Sequence, residues 1–184
     1  LFDAAHELHA DPELLKEVNE ILAEIGMEYK GTTKVHHFAE VLYKEVGLDK
    51  IKEKITNPLE YQVAAFYGCH FLKPSNIKGL DDPEDPKILD ELIEATGAKS
   101  MPRKQKNMCC GPGGGLKAAF GDVAKKFTQT NLENITASGA KYIIDVCPFC
   151  HLQFDGVQGE LGYSIPVLHL SQLYGLAMGM DAKD

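Results

Sequence analysis

Apolar positions in this chain follow two rhythms, and the change falls near Asn57-Pro58, where the chain breaks. Residues 11–25 (DPELLKEVNEILAEI) place Leu14, Leu15, Val18, Ile21, Leu22 and Ile25 at helical spacing and predict an amphipathic helix. Asp11 suits its N-cap, Pro12 its first turn and Gly26 its stop. Residues 35–46 predict a second helix, ended by Gly47.

After the break the apolar residues come in short blocks. Residues 61–67 (YQVAAFY) predict a buried strand with Gly68-Cys69 at its end. Residues 81–86 (DDPEDP) form an acidic loop, and residues 87–95 a helix stopped by Gly97. Residues 109–115 (CCGPGGG) predict a tight turn ahead of a helix from about Leu116. Residues 142–146 (YIIDV) predict a second buried strand, after which Cys147-Pro148-Phe149-Cys150 opens a short helix. Residues 165–168 predict a third strand and residues 171–179 a last helix. This alternation predicts an α/β fold, a small and mostly parallel sheet flanked by helices. Cys69 and the Cys147/Cys150 pair then fall at strand C-terminal ends, where such sheets build their sites.

A weak internal repeat crosses the break. Val35-His36-His37-Phe38-Ala39-Glu40-Val41-Leu42 and Val167-Leu168-His169-Leu170-Ser171-Gln172-Leu173-Tyr174 share a valine, a histidine two residues on, then apolar, small, Glu or Gln, and apolar positions. The second copy closes the cysteine-bearing unit, and His37 and His169 are expected to cap helices.

Composition narrows the function classes. The 184 residues are 44% hydrophobic and 25% charged, which allows a real core. A net charge of −8 leaves no basic footprint for nucleic acid, and no apolar run reaches membrane-spanning length. The first residue is Leu1, not Met, so the chain is expected to be processed or cut from something longer.

Cysteine carries the chemistry. The only cysteines are Cys69, Cys109, Cys110, Cys147 and Cys150, in the pattern C-x39-C-C-x36-C-x2-C. An odd number cannot be fully paired as disulfides, and adjacent cysteines are poorly placed to bridge each other. Reduced thiols favour the cytoplasm. Five sulfur ligands exceed what tetrahedral zinc can use, so the arrangement points to iron and sulfide. Gly111, Gly113, Gly114 and Gly115 would let backbone N–H groups approach the sulfurs, or they form only a turn. Cys147-Pro148-Phe149-Cys150 also fits a thioredoxin-like dithiol, and with His151 a covalent haem motif, but both leave three cysteines unexplained. Zinc held by four of the thiolates is a further alternative. His70 and His151 follow cysteines directly and either line the site or hydrogen-bond behind it. Lys73 and Lys117 lie near the cysteine turns, where they either meet an anion or stay solvated.

Beyond the cysteines, Gly68-Cys69-His70-Phe71-Leu72-Lys73-Pro74-Ser75, the glycine-rich turn at 109–115 and Cys147-Pro148-Phe149-Cys150-His151-Leu152-Gln153-Phe154-Asp155 resemble the second CCG domain of the heterodisulfide reductase B-subunit. The resemblance runs from about Tyr61 to the end. It implies that residues 57–184 are a CCG domain binding one non-cubane 4Fe-4S iron–sulfur cluster through Cys69, Cys109, Cys110, Cys147 and Cys150. Residues 1–56 would be a helical linker and the tail of a truncated first CCG unit. The implied activity is reductive cleavage of the coenzyme M–coenzyme B heterodisulfide in methanogenesis, with electrons from partner subunits A and C. The first cysteine set of that family does not occur here, so either the chain is a fragment or that half lies on another polypeptide, and two-cluster catalysis is not expected of this chain alone. The alternative is a CCG-type electron-transfer subunit of a glycolate-, lactate- or fumarate-linked oxidoreductase.

Overall fold

The computed structural model describes residues 2–181 and Lys183. The chain divides into two compact units, Leu1–Phe38 and Ala39–Asp184.

The first unit holds α1 (Phe2–Ala10) and α2 (Pro12–Ala23). Asp11 caps α2 as expected, its carboxylate accepting from the amides of Glu13 and Leu14. Nothing in either helix is buried; Ile21 on α2 is 67% exposed, and Ile25 just beyond its end is 70% exposed. Asn19 holds the chain that follows by two hydrogen bonds to the Tyr29 backbone.

The second unit begins where one helix was expected over 35–46. The structure has a short α3 (Phe38–Glu40) running into a π-helical turn, Val41–Val46, that ends at Gly47. His37 immediately precedes this helix. The unexpected α4 (Leu48–Lys54) follows, and Ala39 and Ile51 are buried in the core of this unit, so residues 39–56 pack with it.

Then come β1 (Gln62–Phe66), α5 (Cys69–Leu72), α6 (Ser75–Lys78), α7 (Ile88–Glu94) and β2 (Lys99–Ser100). After the cysteine turn the chain forms α8 (Leu116–Ala119) and α9 (Gly121–Ala137), then β3 (Tyr142–Asp145), α10 (Pro148–Val157), β4 (Val167–His169) and α11 (Leu170–Ala177). The single helix expected from Leu116 is in fact two, because Phe120 leaves the helical region at φ −142. His169 is the N-cap of α11 in a reciprocal capping box with Gln172, so its role is a cap as expected.

The sheet order is β2-β1-β3-β4, and every pairing is parallel. Crossover connections cover both faces, so the central strands are apolar throughout instead of alternating. Val63, Ala65 and Ile144 face one core with Leu89, Leu92, Leu170 and Leu173. Ala64, Phe66 and Ile143 face the other with Leu132, Ile135 and Phe154. Parallel pairing has one consequence for function, in that every strand C-terminus opens onto the same edge. Strand order reverses between β1 and β3, so the crevice of this sheet lies beyond the pair Phe66 and Asp145. Among the described residues no helix is long and apolar enough to cross a membrane.

Candidate metal centre

Three connections leave that edge, and each carries cysteine. Cys69 opens α5 directly after β1, with Gly68 between them at φ +72. A β-carbon on Gly68 would lie 3.3 Å from Cys147 Cβ and 3.6 Å from Cys150 Sγ, so the loop after β1 rests on the loop after β3. Cys147 is the N-cap of α10, Pro148 fills its first turn, and the buried Cys150 lies one turn on. The adjacent pair arrives from the connection after β2, and Cys110 Sγ lies 3.0 Å from Cys150 Sγ. Cys69 and Cys109, Cys109 and Cys110, and Cys150 and Cys147 lie close enough for each to shift the proton affinity of the other. The structure therefore brings all five predicted residues together as one run of neighbours, in the order Cys69, Cys109, Cys110, Cys150, Cys147. All five are free thiols, with Cys110 and Cys150 buried and the other three half-buried.

Crowded thiols cannot all keep the same proton affinity. Donation from Cys110, then from Cys69, and the amides of Gly111 and Gly113 pull Cys109 well down. Donation from Cys150 holds Cys147 down at about 5 against its burial. Their donors shift the opposite way. The bond to Cys109 raises Cys69, the same thiolate pushes Cys110 up to about 12, and Cys110, Cys147 and burial raise Cys150. The metal-free set is thus a mixture of thiolates and thiols, and a metal would displace the remaining protons.

The glycine-rich turn supports this arrangement as expected. The Gly111 amide lies 3.3 Å from Cys109 Sγ as a donor, and Gly113–Gly115 make a 3-10 turn with Gly114 and Gly115 at positive φ. The helix beyond is only four residues long, and Lys73 lies at the surface, 3.8 Å from Glu84. His151 Nδ1 lies 3.1 Å from Asp145 Oδ2, which places that histidine behind the cysteines. Burial raises Asp145 to about 7, with His151 opposing the shift.

Several residues that hold the site were missed in the sequence. Arg103 reaches back to β1, donating from Nε and Nη2 to Ala65 O at 3.3 and 3.2 Å. The same guanidinium binds Gln105 O and Lys106 O and sits 5.1 Å over the Phe66 ring, so it fastens the segment that leads to Cys109. Thr128 and Asn131 interrupt the buried stripe Ala124, Leu132 and Ile135 on α9, and Asp145 interrupts an apolar strand. A polar residue on an apolar stripe is the signal that could have found them.

The chain is 50% identical to the B-subunit of the ferredoxin:CoB-CoM heterodisulfide reductase of Methanosarcina mazei, over 98% of this chain and 62% of that one. It is 34% identical to the 8-methylmenaquinol:fumarate reductase membrane anchor subunit of Wolinella succinogenes, over 91% of this chain and 60% of that one. The chain therefore spans about three fifths of the length of these relatives. A crystal structure of a hypothetical protein from Helicobacter pylori superimposes with a TM-score of 0.66 at 16% identity, over 98% of this chain and 33% of that one, and shares the fold. Residues 63–155, half of the chain and the span that carries every cysteine, match the cysteine-rich domain family CCG, and the chain belongs to that family.

Proposed function

We propose that Cys69, Cys109, Cys110, Cys147 and Cys150 hold one iron–sulfur cluster of the non-cubane four-iron type. On this reading the chain is the cluster-bearing part of the catalytic subunit of a heterodisulfide reductase. The observation that carries it is the unbroken run of five thiols at the switch point of the sheet. Five soft thiolates exceed what one tetrahedral ion can use and suit a cluster of several iron atoms.

Such a cluster supplies single-electron steps and iron atoms with affinity for sulfur. The chain's own residues do the rest. The five cysteines would hold the iron, and Cys109 and Cys110 would serve neighbouring irons. The Gly111 amide donates to Cys109 Sγ, and Arg103 and Gly68 keep the three loops together. The substrate is the coenzyme M–coenzyme B disulfide. Its cleavage takes up two electrons and two protons and yields two thiols. Electrons would come from partner subunits A and C, and a centre built on reduced thiols suits a reducing compartment such as the cytoplasm. Because the chain spans 62% of its Methanosarcina mazei relative, turnover is assigned to a larger assembly with a second cysteine set.

The test is anaerobic loading with iron and sulfide, followed by iron, zinc and acid-labile sulfide analysis. About four irons and a matching amount of sulfide per chain are expected, and more zinc than iron would overturn the reading in favour of a zinc scaffold. Disulfide reduction with an artificial electron donor should appear only when a first cysteine-bearing domain is supplied. A second reading, an electron-transfer subunit of a fumarate-linked oxidoreductase, is favoured by the likeness to the Wolinella succinogenes protein. Iron uptake with electron transfer to an acceptor, but no disulfide reduction in the completed assembly, would select it.

A further inference from the structure

The Cys109-Cys110 turn rests against two helices that present polar side chains where aliphatic ones would pack. Thr128 and Asn131 on α9 are 0% exposed, and Gln153 on α10 is 1% exposed. Their bonds go to the cysteine pair. Asn131 Nδ2 donates to Cys109 O at 2.9 Å and to Phe127 O at 2.9 Å. Thr128 Oγ1 lies 3.0 Å from Cys110 O and 3.1 Å from Ala124 O, and it accepts from Gln153 Nε2 at 2.8 Å. Two consecutive carbonyls of the chain are thus each held by a separate side chain of one helix.

We propose that Thr128, Asn131 and Gln153 are positioning residues that fix the peptide planes of the adjacent cysteines. They thereby decide which metal atom each sulfur can reach. The physical argument begins with the neighbours themselves. Sulfurs on adjacent residues diverge or converge according to the rotation of the peptide between them, and a carbonyl held at both residues removes that freedom. Gly111 completes the clamp, since its φ of +121 brings the turn against the Ala124 carbonyl. Packing alone does not account for these side chains. Asn131 Oδ1 and Gln153 Oε1 are buried without a hydrogen-bond partner, so each residue carries a desolvation cost that a leucine or methionine would not. The benefit that only the polar forms provide is the hold on Cys109 and Cys110.

The electronic part of this role rests on the cluster reading above, and the geometric part does not. The test uses the whole chain, as metal-free protein and after anaerobic loading with iron and sulfide. Thr128→Val and Asn131→Leu remove the two carbonyl bonds, Gln153→Met removes the bond behind them, and Thr128→Ser restores the hydroxyl. In the metal-free chain, amide hydrogen exchange at Cys110 and Gly111 is expected to rise about tenfold in Thr128→Val and Asn131→Leu and less in Gln153→Met. Thr128→Ser should match the wild type. In the loaded chain the first two variants should lose iron to a chelator about tenfold faster and show an altered electron paramagnetic resonance spectrum and reduction potential. Wild-type exchange across residues 109–111 in every variant that folds overturns the proposal. Faster exchange with an unchanged spectrum, potential and rate of iron loss marks a merely structural role and overturns it as well. A wild-type chain that takes up no iron overturns the cluster reading instead, and the exchange rates of the metal-free chain then decide the positioning role.

Discussion

A β-carbon on Gly111 would lie 2.4 Å from the carbonyl oxygen of Ala124, so the turn bearing the paired cysteines is seated on the backbone of α9. Gly111 also holds a φ of +121, which side-chain-bearing residues avoid. Gly111→Ala should therefore destabilise the chain by on the order of 3 kcal/mol, from strain and displaced packing together. Gly114 has φ +63 but open space around it, so Gly114→Ala should cost only about 1 kcal/mol. Denaturant midpoints for the two variants check the contrast. Equal losses would mean that the turn is not clamped against α9.

Replacing each cysteine by serine tests the shared centre. If the five thiolates hold a cluster as proposed, a hard hydroxyl in place of a soft thiolate should weaken iron binding at each position. Iron content after anaerobic loading should fall in all five variants. The buried Cys110 and Cys150, whose sulfurs lie 3.0 Å apart, should be least tolerant, because no water can replace the missing ligand there. A full complement of iron in Cys69→Ser would remove Cys69 from the ligand set.

Arg103 joins the end of β1 to the segment that leads to Cys109. Only a planar guanidinium can span those carbonyls at once, so lysine is a poor substitute. Arg103→Lys and Arg103→Met should each cost about 2 kcal/mol and expose residues 104–106 to trypsin-type cleavage at Lys104 and Lys106. Limited proteolysis reads the effect directly. Resistance equal to that of the wild type would show that the loop is held by other contacts.

Alkaline stability should depend on Tyr174. Burial raises its phenol above the usual value near 10, while its hydroxyl donates to Leu92 O at 3.0 Å. Below about pH 10 the phenol is neutral in both folded and unfolded chains, and its contribution is constant. Above that value the unfolded phenol releases its proton first, so the folded state binds more protons and stability falls as pH rises. Tyr174→Phe should cost about 1 kcal/mol at neutral pH, yet lose less stability than the wild type between about pH 10 and 11.5. Parallel stability curves for the two proteins would contradict this account.

Much of the fold was legible because its signals are local. The cap at Asp11, the apolar runs at Val63–Phe66 and Ile143–Ile144 and the stop at Gly47 each depend on a few neighbouring residues. The histidine cap at His169 was readable from the repeat that pairs it with His37. Less was legible where local signals conflict with packing. The π-helical turn Val41–Val46 and the break at Phe120 have no distinct spacing, and β2 is two residues long, too short for any periodicity. The short strand matters, because it places the connection carrying Cys109 and Cys110 on the same edge as the other cysteines.

The sequence by itself determined the candidate donors: five soft sulfurs, their spacing and the glycines that let a chain turn tightly beside them. Only the tertiary structure decided that these sulfurs meet in the order Cys69, Cys109, Cys110, Cys150, Cys147. It also decided that Thr128, Asn131 and Gln153 stand behind the pair. The reason is physical. Residue type and local spacing set what a side chain can bind, but proximity here comes from the parallel pairing of Phe66 with Asp145, strands far apart in the chain. That pairing is selected by burying two apolar strands between two layers of helices, a collective gain that no short stretch of sequence encodes.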